Sequence, residues 1–299
     1  MAGLLAAIAW PNARVIEMSP FAKPRHKALL RFRSDAVSKL TGIEFEKVLV
    51  RKGIFSQGEF VEPNARVCNL YAQKVVGQVE ERSVWSIDPA ERYIAPEDFY
   101  EQLVDVVGDR IDFGMKLDMS LRGDHSIIST IPMTTMLQQC GMPLEQRHPG
   151  GSFIHKSIRV ERWRVPDCHV YQTIYFPDPN TPLYRASITG DMLIAECVED
   201  WNEAGRSTAI MHIAEAFGLD PEELNPLVSA QQPYGKLVEL DEITRKNALF
   251  RLTSERNVYS LGRFATWRNV MLDDVVNDIA VIKRLMKSGT AYDARREAL

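Results

Sequence analysis

MAGLLAAIAWPNARVIEM, running from Met1 to Met18, decides how the chain is read. Residues 3–9 are rich in alanine and leucine and predict a short helix. Pro11-Asn12 then breaks the pattern as a turn. Residues 13–18 (ARVIEM) predict a short buried strand that carries an acid, Glu17, at its end. A small-residue helix, a tight turn and a strand ending in a carboxylate form the second half of a dinucleotide-binding βαβ unit. In that unit the glycine turn lets the backbone approach a pyrophosphate, and the helix N-terminus offers unpaired N–H groups to it. The acid accepts the ribose hydroxyls. Met1-Ala2-Gly3 stands where the last part of a G-x-G-x-x-G would stand, and Gly3 lies 14 residues before Glu17. The first strand of the unit and its first two glycines are not in the sequence. The expectation is therefore an upstream stretch on the order of ten residues, one strand plus its turn.

Two later segments carry the same texture. Residues 125–131 (HSIISTI) form an apolar run that stops at Pro132, leaving Thr130-Ile131-Pro132 at the end of an expected strand. Residues 258–261 predict another short apolar strand. Gly262-Arg263 follows it, and then a periodic helix over 272–286 with Val275, Val276, Ile279 and Ile282 on one face. A glycine after a strand permits close backbone approach. An arginine beside it can pair with a phosphate, and the start of the last helix can stabilise negative charge. The plainer alternatives are an ordinary buried strand at 125–131, Trp267 as core and Asp273 as a helix cap.

Between these segments the sequence changes character. Residues 45–51 and 57–61 alternate as strands, and residues 67–74 and 75–82 suggest two more strands or a strand and a turn. Residues 96–107 predict a helix with Pro96 at its first position and Gly108 at its end. Residues 111–119 read as a strand and 122–124 as a turn. From about residue 143, long alternating runs at 152–165, 169–176 and 183–195 are separated by proline-rich turns, the mark of an antiparallel sheet. A helix is expected at 206–217 and a strand at 236–240. The fold class expected is thus α/β, α+β overall. It is a Rossmann-like domain made of residues 1–142 and 246–299, interrupted by an antiparallel-sheet substrate domain at 143–245.

Taken together, MAGLLAA…ARVIEM, DHSIISTIP and YSLGRFATWR…LDD resemble FAD-dependent flavoproteins of the amine-oxidase and UDP-galactopyranose-mutase type. More narrowly the chain is similar to phage-encoded FAD-dependent oxidoreductases. Some of these are linked to thymidine hypermodification, where a flavin lyase resembling glycine oxidase trims an amino acid attached to the base. The resemblance spans nearly the whole chain and implies FAD as cofactor. It implies that Gly3 and Glu17 hold the adenosine half, that Met115 flanks the adenine, and that Thr130, Ile131 and Pro132 pass the diphosphate. It further implies that Gly262, Arg263, Leu272 and Asp273 meet the ribityl chain and flavin ring. Arg31 and Arg33 stand where relatives place a basic residue near phosphates or flavin, although their basic stretch could equally be a solvated loop. The substrate implied is a small-molecule or nucleotide-linked amine, with a sugar nucleotide as the alternative. His155, Arg159, Tyr175 and Arg185 are candidate substrate contacts. The rivals are a non-catalytic scaffold that keeps the fold and a nicotinamide-dependent reductase, which predicts no closing Gly-Arg motif.

Composition narrows the rest. Thirty-six Lys and Arg against 40 Asp and Glu leave a net charge of −4, so DNA contact would need a local patch. Cys68, Cys140, Cys168 and Cys197 form no CxxC and the six histidines form no ligand motif, so buried reduced thiols, no metal site and a cytoplasmic location are expected. The apolar opening is too short to span a bilayer.

Overall fold

Helix α1 (Ala2–Ala9) is apolar on every side, and a helix of that kind must be buried. In the computed structural model, which describes residues 1–22, 31–119, 125–142, 153–198, 203–238 and 240–287, Leu4, Leu5, Ala6, Ala7 and Ala9 are all buried. Strand β1 (Val15–Glu17) follows, then β2 (Arg31–Phe32) and α2 (Ala36–Thr41). The next elements are β3 (Glu46–Ser56), β4 (Glu59–Phe60), α3 (Ala65–Val76), β5 (Ala90–Ile94), α4 (Phe99–Val107), β6 (Ile111–Phe113), β7 (Ile127–Ser129) and α5 (Met133–Gln139). Four longer strands come after them, β8 (His155–Arg164), β9 (Val170–Tyr175), β10 (Leu183–Gly190) and β11 (Met192–Cys197). The chain closes with α6 (Glu203–Phe217), β12 (Asn225–Leu237), α7 (Glu242–Arg256), β13 (Val258–Ser260), α8 (Arg263–Thr266) and α9 (Leu272–Lys287).

The nucleotide-fold half consists of two short parallel pairs, β1 with β6 and β13 with β7. Helix α1 packs against both β1 and β7, and also against α2, α4 and α9. Parallel pairing of strands so distant in sequence joins the start, the middle and the end of the chain. One apolar core holds the arrangement, with Leu5, Phe32, Phe99, Leu103, Leu261, Val275 and Ile279 among its members. Strand β1 is not the buried strand expected: Ile16 is 46% exposed, because among the described residues β1 has a partner on one flank only.

The other half is a nine-stranded mixed sheet in the order β12-β8-β11-β10-β9-β3-β5-β2, with β4 paired to β3. Its strands run antiparallel except where β3 meets β9. The fold is thus mixed α/β, a Rossmann-like domain joined to an inserted sheet domain, and the sheet draws β2, β3 and β5 from before residue 143. The β3–β4 hairpin turns at Gln57-Gly58, both with positive φ, which matches the twist of the flanking strands. One sheet face packs under α6 through Phe55, Ile174, Ala186, Leu193, Ile213 and neighbours. The opposite face packs under α3 through Ile54, Tyr71, Ile158, Val160, Tyr175 and Tyr184.

Several expectations are corrected. Residues 65–76 are helical, not strands. Val67, Cys68, Tyr71, Ala72, Val75 and Val76 recur at three-to-four-residue spacing and are buried on one side. The β-branched residues favour a strand locally, but burial of that stripe outweighs the preference. Helix α4 begins at Phe99 with Asp98 as its cap, so Pro96 is not its first residue but lies before the helix. The run 183–195 is a hairpin that turns at Gly190-Asp191, and the strand expected at 111–119 ends at Phe113. Helix α7 went unread; its Asp241 cap accepts a hydrogen bond from the Thr244 N–H. The turn at 122–124 lies outside the described residues, as does most of the basic stretch before Arg31. No described helix is long and apolar enough to cross a membrane.

Asn64 caps α3 by accepting from the Val67 N–H at 3.1 Å. Asn64→Ala should lower unfolding free energy by about 1 kcal/mol, read as a lower denaturant midpoint with unchanged slope. An unchanged midpoint would show that α3 is held by packing alone.

Candidate functional site

The start of α1, the end of β7 and the turn after β13 converge. A Cβ built on Gly3 would lie 3.5 Å from the Thr130 Oγ1, and one on Gly262 would lie 3.0 Å from the Ala2 Cβ. Gly262 has φ +87°, a conformation that disfavours any residue with a side chain. The segments border a cleft of about 2230 Å³. That exceeds the several hundred to about 1,000 Å³ usual for one drug-sized ligand, and leaves room for a dinucleotide together with a substrate. Gly3, Glu17, Arg31, Met115, Thr130, Ile131, Pro132, Gly262, Arg263 and Leu272 all line it.

The chemistry of the lining suits an extended anionic cofactor. The first N–H groups of α1 have no acceptor within the helix, and no side chain caps them. They belong to Ala2, Gly3 and Leu4, which line the cleft, so phosphate oxygens are well matched to them. Glu17 is exposed at the end of β1; its Oε1 accepts from the Ser19 N–H at 2.8 Å, leaving Oε2 for hydroxyl donors. The Met115 N–H donates to the Glu17 carbonyl at 3.1 Å, which holds the half-exposed Met115 at the end of β1. Three buried polar atoms with no partner among the described residues, the Ser129 Oγ, the Gln139 Oε1 and the Arg263 Nε, also belong to lining residues. These residues fit FAD.

Other expected residues serve the scaffold. Arg33 and Asp273 are not on the cleft. The Arg33 guanidinium pairs with Asp274 at 2.6 Å, and its N–H donates to the Asp273 carboxylate at 3.0 Å. Asp273 is buried and also accepts from the Ser34 N–H and hydroxyl. This knot ties the segment after β2 to the start of α9, so the flavin contact expected of Asp273 is corrected to a structural one. Arg31 borders the cleft, but its guanidinium donates to the Thr189 and Thr173 hydroxyls, each at 2.6 Å, and to the Ile188 and Gln172 carbonyls. It pins β2 to β9 and β10. Burial lowers its pKa to about 10, so it stays charged at neutral pH.

Of the four candidate substrate contacts, Tyr175 and Arg185 stand opposite each other across β9 and β10, on the face covered by α3. Arg159 pairs with Glu161 at 2.6 Å on the other face. His155 stacks on Tyr234, with ring centroids 4.3 Å apart. A register shift between Leu183 and Arg185 admits one extra residue, and it turns the side chains of Tyr184 and Arg185 alike toward Glu196. Glu196 accepts from Arg185 and from the Tyr184 hydroxyl. Burial alone would raise the Glu196 carboxyl, but Arg185, Lys236 and these hydrogen bonds outweigh it and bring the pKa to about 2.

No family model and no curated protein matches the sequence. Solved structures share this fold over almost the full chain. A reduced UDP-galactopyranose mutase aligns with a TM-score of 0.63 at 14% identity, covering 99% of this chain and 94% of the mutase. A CLA-producing fatty acid isomerase from P. acnes aligns with a TM-score of 0.57 at 11% identity, over 95% and 96% of the two chains. Putrescine oxidase bound to putrescine aligns with a TM-score of 0.56 at 12% identity, over 96% and 97%.

The Glu196 pair makes stability depend on acid. Its folded pKa of about 2 lies below the ordinary 4.5, so its contribution is present above pH 4.5 and is lost as the pH falls toward 2. Glu196→Gln should be less stable at neutral pH, because Arg185 loses its partner, and its stability should vary less between pH 4.5 and 2. Acid denaturation monitored by circular dichroism checks both; equal pH slopes for the two proteins would contradict the assignment.

Proposed function

We propose that the chain binds one FAD along the cleft and acts as a flavin-dependent oxidoreductase or lyase on an amine or amino-acyl group. The observation that carries this reading is the meeting of Gly3, Thr130 and Gly262 at one cleft beside the uncapped start of α1. An ordinary packed core has no use for a positive-φ glycine pressed against a helix start, unsatisfied polar atoms on a large cleft and a carboxylate at a strand end, all together.

The flavin would supply the electron-pair chemistry that amino-acid side chains lack. The protein's part is to bind, orient and enclose. The first turn of α1 and Thr130 would hold the diphosphate, and Glu17 would accept the ribose hydroxyls beside Met115. Gly262 would admit the ring system close to the backbone, with Arg263 at its polar edge. Tyr175, Arg185 and their neighbours lie on the sheet face toward Arg31 and Arg263, both of which border the cleft, so substrate would be selected there. The sequence resemblance to phage-encoded members extends the proposal to an amino-acyl group carried on a modified thymidine in DNA.

The purified full chain should carry flavin absorbance, or acquire it with one equivalent of added FAD. A folded, colourless protein that cannot be reconstituted would favour the scaffold reading. Glu17→Ala should weaken FAD binding by about tenfold or more, the loss of a charge-assisted hydrogen bond, with melting of the FAD-free protein unchanged; titration of flavin fluorescence measures it.

A further inference from the structure

The sheet face under α3 carries more positive charge than it neutralises. Lys236, Arg185, Arg82 and Arg263 lie within electrostatic reach of one another and of Glu196. Glu196 is engaged by Arg185, and Arg82 pairs with Glu80 at 2.6 Å. Among the described residues four basic side chains therefore face two carboxylates, and Arg31 on the same face senses Arg185 as well. Like charges brought together in a poorly solvated place repel, and an anion that joins them relieves the repulsion.

The cluster is also a recess and not a filled core. Arg185 is crowded enough that burial is the largest influence on its guanidinium, yet 37% of its side-chain surface remains open to solvent. The Lys236 ammonium has no hydrogen-bonded or ion-paired partner among the described residues; it rests 4.4 Å over the Tyr184 ring. Burial pushes it down to about 7, the response of an amine that lacks a compensating anion. Arg263 donates through one terminal nitrogen to the Gly235 carbonyl at 2.9 Å and to the Asn269 side chain at 3.3 Å. Its Nε is buried and bonds to nothing described. Tyr71, Tyr175 and Tyr184 line the same face, with Tyr175 donating to the Ser83 hydroxyl at 3.1 Å.

We propose that this recess is an anion site for the substrate: it receives a carboxylate or phosphate group, held by Lys236 and Arg185 with the charge of Arg263 beside them. The proposal rests on the flavin reading above for the word substrate, because Arg263 joins the recess to the cleft that would hold FAD. It narrows that reading. A free amine without an acidic group would meet only basic side chains there, whereas an amino acid or a phosphate-bearing amine would offer them an anion.

Calorimetric titration of the full chain, with and without FAD, separates the possibilities. The probes are benzoate for the carboxylate arm, inorganic pyrophosphate for the phosphate arm and uncharged benzamide as control. At least one anion should bind while benzamide does not, and whichever anion binds identifies the group. Lys236→Met removes the charge without stripping a partner from another residue. It should weaken that anion by about tenfold or more, the loss of one charge-assisted contact, with unchanged melting of the ligand-free protein. Should Lys236→Met fold poorly, Arg263→Gln reads the same site, with a comparable loss expected. If neither anion binds the natural chain, or if a folded variant binds it undiminished, the proposal is overturned. A chain that takes up FAD but no anion refutes this inference alone, and one that binds the anion but no FAD refutes the flavin reading alone.

Discussion

Gly262 and Ala2 stand so close that a methyl group on the glycine would come within 3.0 Å of the alanine Cβ. The turn after β13 and the first residue of α1 can share that space only because one has no side chain and the other has the smallest. The same economy runs through α1, whose alanines let it lie against β1, β7, α4 and α9 together. Replace them with larger residues and the parallel pairs would be forced apart. The cleft exists because the start of α1 is held there, between the strand ends that border it.

From that constraint the division of labour follows. The helical half supplies backbone: uncapped N–H groups, a positive-φ turn and strand ends. The sheet half supplies charge, on the face under α3. The two are coupled by Arg31, which bonds β2 to β9 and β10 from the margin of the cleft, and by Arg263, which reaches from the turn after β13 to the end of β12. The Asp273 knot with Arg33 and Ser34 fixes the segment just after β2 to the start of α9, so the scaffold around the cleft is tied by polar bonds as well as apolar packing.

Much of the helical half was legible in the sequence, because its signals are local. An all-apolar short helix, a Pro-Asn turn, an acid at a strand end, a strand closing in T-x-P and a Gly-Arg after the last strand each declare themselves within a few residues. Helix α3 was misread because Val67, Val75 and Val76 favour strands by local preference, while the burial stripe and the Asn64 cap decide for helix. The resemblance tied Arg33 and Asp273 to the cofactor; only the folded chain shows the two bonded to each other's elements. The excess positive charge of the recess was hidden for a different reason. Arg82, Arg185, Lys236 and Arg263 are far apart in sequence: Arg185 and Lys236 are placed by strand register, including the bulge that turns Tyr184 and Arg185 to one face, and Arg82 and Arg263 come to them from outside the sheet. Arg185 and Tyr175 could be named as candidates, but the pairing of Arg185 with Glu196 has no local signature.

A crystal structure of the full chain with FAD addresses the central claim most directly. The account predicts the diphosphate at the first turn of α1 beside Thr130, the ribose at Glu17, and the ring system at Gly262 with its open side toward Tyr175 and Arg185. A flavin bound elsewhere on the molecule, or a well-ordered cleft that stays without flavin at saturating FAD, would contradict it.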